Sequence, residues 1–111
     1  MSKWVKVGEI GVDAGLCWVG DPCYIIHAEN TPKELGKDWA EFCKNLWKKE
    51  EVSKNRGAQF NYDKGHPGLG VVVPAGFGDG CYNVYAKFSD EGSWGQRVAE
   101  VKVVFIEDND D

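Results

Sequence analysis

Cys81-Tyr82-Asn83-Val84-Tyr85-Ala86-Lys87-Phe88 alternates strictly. Tyr82, Val84, Ala86 and Phe88 fall on one side, and Cys81, Asn83, Tyr85 and Lys87 on the other. A period of two residues is the signature of a half-buried strand. The next turn chemistry, Ser89-Asp90-Glu91-Gly92-Ser93-Trp94-Gly95, reads as a hairpin loop. Residues 96–106 then read as a long returning strand with Ala99, Val101, Val103 and Phe105 inward. Working back, residues 69–73 are β-branched and strand-like, and residues 58–62 form a short strand. At the N-terminus, residues 4–12 and 16–19 flank Asp13-Ala14-Gly15 and read as a hairpin. Pro22 closes the second strand, because proline cannot donate to a ladder.

One segment has a different period. Thr31-Pro32-Lys33-Glu34 has the form of a capping box with proline at the first helical position. Leu35, Trp39, Phe42, Cys43, Leu46 and Trp47 then recur at helical spacing, with Lys37, Asp38, Glu41, Lys44 and Lys48 on the opposite face. The pattern predicts an amphipathic helix over about residues 32–51, its aromatic stripe packed into the core. The expectation is an α+β fold: a curved, mostly antiparallel sheet or partly closed barrel of about six strands, with this one helix packed on it. Residues 1–106 read as a single globular domain.

The chain has 111 residues, 13 Lys plus Arg and 18 Asp plus Glu, and a formal net charge of −5. Four of the 18 acids lie in Glu107-Asp108-Asn109-Asp110-Asp111, so outside this tail 13 bases face 14 acids. The body is near neutral, and the tail reads as a disordered solubilising end. This balance does not suit duplex nucleic acid, which demands a net basic face. The hydrophobic content of 42% and the five Trp, four Tyr and five Phe suit a packed domain. No apolar run reaches the ~18 residues of a membrane span, and the N-terminus has no signal-type stretch. A cytoplasmic location follows, with Cys17, Cys23, Cys43 and Cys81 reduced. Their spacing fits no zinc pattern, and no cofactor is expected.

Two segments share Gly-Asp-x-Cys-Tyr: Gly20-Asp21-Pro22-Cys23-Tyr24 and Gly78-Asp79-Gly80-Cys81-Tyr82. Each lies at a turn bordering a strand, where glycine lets backbone approach a ligand and aspartate supplies acceptors. Asp21, Cys23, Tyr24, Asp79, Gly80, Cys81 and Tyr82 are the candidate ligand-binding residues, with the tyrosines as amphipathic walls. Aspartates in such turns also bond their own backbone two residues on, which is the purely structural alternative. Gly76-x-Gly78-x-Gly80 is not a phosphate loop, because a strand follows where a helix is required. A nucleophilic pair of Cys23 or Cys81 with His66 is permitted by composition. Asp13, Asp21 and Asp79 supply hard oxygens of the kind calcium takes, but their spacing matches no calcium loop. Trp94, in its hairpin loop, is either a partner contact or folded onto the sheet.

Val12-Asp13-x-Gly15, the Asp-Pro-Cys-Tyr of residues 21–24, Gly78-Asp79-Gly80-x-Tyr82-x-Val84-Tyr85 and Arg97-Val98 leading into Val103-Val104-Phe105 together resemble a family of small uncharacterised proteins of bacteriophages and bacteria. Leu35-Gly36-Lys37-Asp38-Trp39 and Gly65-His66-x-Gly68-Leu69-Gly70 extend the resemblance. Family members often carry proline where this chain has Asn83. The resemblance implies a phage- or prophage-encoded intracellular protein and no assigned chemistry. The leading expectation is a non-enzymatic binding protein holding a small polar ligand or a host protein at a cleft between the two turns. A structural or homo-oligomeric accessory protein is second, and a Cys/His hydrolase third.

Overall fold

The structure is a computed structural model, described over residues 3–23, 33–49, 56–61 and 68–107. The strands are β1 (Val5–Val12), β2 (Leu16–Val19), β3 (Ala58–Phe60), β4 (Gly70–Pro74), β5 (Gly80–Asp90) and β6 (Gln96–Val103); the helix is α1 (Trp39–Trp47). All described pairings are antiparallel, and they form two three-stranded sheets, β1-β5-β6 and β2-β4-β3. The α+β class is as the periodicities predict. The partly closed barrel is not formed, because the six strands divide between two sheets. The N-terminal hairpin is not formed either. β1 pairs with β5 and β2 with β4, so residues 13–15 carry the chain from one sheet to the other. The chain divides into two compact units, Met1–Gly15 with Ala75–Asp111, and Leu16–Pro74.

In the Leu16–Pro74 unit, α1 starts later than its sequence signature suggests. Asp38 is the N-cap: its Oδ1 accepts the Glu41 amide at 2.9 Å, and Glu41 Oε1 accepts the Lys37 amide at 3.1 Å. Asp38 and Glu41 thus cap α1 much as a capping box does, with Glu41 accepting from Lys37, the residue before the cap. Residues 31 and 32 lie outside the described residues. Lys33–Leu35 is a separate 3-10 turn, ended by Gly36 at φ +80°. A β-carbon there would come within 2.9 Å of the Glu41 side chain, so only glycine suits this corner. Glu34 is thereby released from capping. Its carboxylate meets Lys49 Nζ at 3.1 Å and accepts the Asn61 amide at 3.3 Å, tying the helix end to the end of β3.

The core of this unit is Leu35, Leu46, Ala58, Phe60, Leu69 and Val72, with Leu16, Trp18 and Phe42 against it. Phe42 stacks on Phe60 at 5.3 Å, and Trp18 meets Phe60 edge-on at 5.7 Å. Two members of the predicted stripe are not core. Trp39 is 59% and Trp47 67% exposed. Trp47 lies about 100° around the helix from Leu46. Trp39, at the first helical position, stacks on the outer side of Phe42 at 5.4 Å.

In the other unit, β5 is the central strand. Val5 faces Ala86, Ile10 faces Tyr82, and Val84 faces Val103. A bulge in β6 sets both Ala99 and Glu100 against Lys87. It breaks the simple alternation, so Val98 and Val101, not Ala99, share a face with Phe88 and Ala86. These valines are exposed rather than inward, at 56% and 62%. The other face carries a cation–aromatic cluster, with Lys87 and Lys102 over Trp4 at 4.9 and 4.5 Å, and Lys102 over Tyr85 at 5.6 Å. Trp94, in the turn Gly92–Trp94, is 74% exposed and does not fold back onto the sheet.

Candidate ligand-binding site

The site begins with strand register. The last pair of the β1–β5 ladder is Val12 with Gly80, preceded by Gly11 with Cys81. Asp13 and Asp79 are the next residues beyond the ladder on each side, and both line the same concavity. These six residues line an open concavity of about 510 Å³. That volume is in the range of small-ligand sites. Val12 is buried, while Asp13, Asp79 and Cys81 are exposed. Gly11 and Gly80 add no side chain, so main-chain groups are accessible from the concavity.

The turn carrying Asp79 is fixed by its own hydrogen bonds. The Gly78 amide donates to Ala75 O at 2.8 Å, and the Ala75 amide donates to Gly15 O at 2.9 Å. The Tyr82 hydroxyl reaches Gly78 O and, at 3.3 Å, Ala75 O. Its ring packs edge-on against Phe105 at 5.2 Å. Gly76, at φ +56°, is pressed so closely on Phe105 that a β-carbon would sit 2.9 Å from the Phe105 β-carbon. The result is a rigid turn whose tip, Phe77, is 93% exposed.

The structure thus brings Asp79, Gly80 and Cys81 to one concavity and uses Tyr82 to brace the turn beside it. Asp21 and Cys23 belong to the Leu16–Pro74 unit. There Asp21 Oδ1 accepts the Cys23 amide at 3.0 Å, closing an Asx turn. That bond, with a further one from the Cys23 side chain, holds the Asp21 carboxyl below the ordinary carboxylate range. Desolvation, then the hydrogen bond and charge of Asp21, push the Cys23 thiol up. A raised thiol is a poor nucleophile at neutral pH. Tyr24, His27 and His66 lie outside the described residues, and with His66 the proposed Cys/His pairs. Cys17 is buried, and desolvation pushes its thiol up too. No group of three or more His, Cys, Asp or Glu among the described residues is placed to hold a metal ion. No described helix is long and apolar enough to cross a membrane.

Gly11 and Val12 were not among the candidate site residues, because only the pairing of β1 with β5 brings them to the concavity. Asp13 carried a signal, as an acid beside a turn, but its counterpart is set by register.

A family model described as protein of unknown function (DUF4241) matches residues 8–105. The chain belongs to the DUF4241 family. The match runs from Gly8, within β1, to Phe105, and so includes every residue of the concavity. No curated protein and no solved structure matches this DUF4241 chain.

Proposed function

We propose that this DUF4241 chain is a non-enzymatic binding module that takes a small polar ligand at the Asp13–Asp79 end of the β1–β5 ladder. The observation that carries the reading is the shared lining of one concavity by two carboxylates, two glycines and an exposed thiol at the mouth of a braced turn. Carboxylates accept only, so the ligand contributes N–H or O–H donors, and a cationic amine is favoured over an anion. The Gly20–Tyr24 turn, in the other unit, carries no part of this reading. In the phage or prophage setting that the sequence resemblance implies, such a module acts as a cytoplasmic sponge for a host metabolite.

Native mass spectrometry of the chain purified from its host tests this. The expected result is a retained small molecule above the 12.3 kDa chain mass. Asp13→Asn and Asp79→Asn together are expected to abolish retention while leaving the far-UV circular dichroism unchanged. A bound molecule that survives the double substitution sinks the reading, as does a chain that emerges bare.

A further inference from the structure

The β1-β5-β6 sheet ends at β6, and among the described residues nothing pairs with the outer side of that strand. An open strand edge is a template for another strand. Which backbone groups face outward follows from the ladder. The Val104 amide donates to Asn83 O, so that pair is hydrogen-bonded. Bonded and non-bonded pairs alternate, which makes Val84–Val103 non-bonded, Tyr85–Lys102 bonded and Ala86–Val101 non-bonded. The N–H and C=O of Val101 and Val103 therefore point away from β5, toward open edge.

We propose that β6 pairs with β6 of a second copy of this chain, antiparallel, about a two-fold axis through Val101. Three features favour this occupant, and the second of them selects the register. First, Val101 of each copy exchanges both backbone hydrogen bonds with its counterpart, because its amide and carbonyl face outward. Second, Glu100 of each copy lies opposite Lys102 of the other, giving two opposite-charge pairs related by the axis. These fall at non-hydrogen-bonded positions, where side chains approach most closely. A shift of the axis by one residue keeps outward backbone groups paired but places Glu100 against Glu100, or Lys102 against Lys102, so the charges fix the register. Third, the exposed Val98 and Val101 of both copies join into one apolar strip on the opposite face. The existing contacts of the charged pair allow this. Glu100 is 3.9 Å from Lys87 with its side chain 56% exposed, and the Lys102 ammonium, resting over aromatic faces, has donors to spare. Charged residues commonly guard strand edges against pairing. Here the two guards are of opposite sign and two residues apart, so an axis through the residue between them sets each against the other's counterpart.

The test uses the whole chain. Sedimentation of the unsubstituted protein is expected to rise with concentration from the 12.3 kDa monomer toward twice that mass. Glu100→Lys and Lys102→Glu are each expected to remain monomeric, since each sets like charges across the axis. Mixed in equal amounts they are expected to return to dimer mass, because every cross-axis pair is then opposite in sign. The Val101 amide of the unsubstituted chain is expected to gain hydrogen-exchange protection as concentration rises, a readout that needs no substitution. A chain that stays monomeric at all concentrations overturns the proposal. So does a dimer that both charge reversals leave intact, or one in which Val101 exchange is unchanged.

Discussion

The indole of Trp18 lies against the backbone of Gly70, so close that a β-carbon at residue 70 would be 2.2 Å from Cζ2 and 2.5 Å from Cη2. Trp18 is on β2 and Gly70 opens β4, and the ring goes on to meet Phe42 and Phe60. The absent side chain is the space that the indole fills. Gly70→Ala is expected to displace Trp18 and destabilise the protein by about 1–3 kcal/mol, the usual cost of overpacking. Denaturant unfolding followed by tryptophan fluorescence measures it. An alanine variant as stable as the parent would show that the indole moves away at no cost.

Tyr82 makes a second, smaller prediction. Its hydroxyl bonds two carbonyls of one turn, Gly78 O and Ala75 O, while its ring is held by Phe105. Tyr82→Phe retains the ring and deletes the donor. A loss of about 0.5–1.5 kcal/mol is expected, with greater proteolytic cleavage around exposed Phe77. Unaltered stability and cleavage would mean that the turn is held by its backbone bonds alone.

Asp38 caps α1, while Glu34 contacts Lys49 and the Asn61 amide. Asp38→Ala is expected to cost about 1 kcal/mol, as loss of an N-cap does. Glu34→Gln is also expected to cost about 1 kcal/mol, by weakening its contacts to Lys49 and the Asn61 amide. The two are separable by a double-mutant cycle with Lys49→Met. Glu34 is expected to couple to Lys49 and Asp38 is not. Absence of coupling between Glu34 and Lys49 would show that this ion pair adds nothing to stability.

Cys17 sets a limit at alkaline pH. Burial raises its thiol above the ordinary value of 9.0, so the unfolded chain loses this proton at lower pH than the folded chain. The stabilisation is complete below pH 9.0 and is lost as pH climbs through the raised folded value. Cys17→Ala is expected to flatten this alkaline decline in thermal unfolding profiles. Thiol labelling at neutral pH is expected to be slowest at Cys17, which burial shields, and faster at Cys81, which is exposed. An alkaline decline unchanged in Cys17→Ala would exclude this thiol as its source.

What the sequence determines by itself is whatever depends on neighbours in the chain. Alternation in residues 81–88 specifies a strand, the 3.6-residue stripe through Phe42 and Leu46 specifies a helix, and Gly-Asp turns announce their own backbone bonds. The class, α+β with six strands and one helix, is legible on those terms. What tertiary structure decides is partner choice. β1 and β2 are four residues apart and look like a hairpin, yet each finds its partner more than 50 residues on. Apolar periodicity says which face of a strand is buried but not against which strand. The bulge at Ala99, the exposure of Trp39 and the transfer of the cap to Asp38 follow from contacts that no local pattern encodes. The candidate site divides in the same way. The Gly-Asp motif marked Asp79, Gly80 and Cys81, but only the register Val12–Gly80 added Gly11 and Asp13 and placed Asp21 in a different unit. A strand's composition is a local property; the strand it pairs with is settled by the free energy of the whole packed unit.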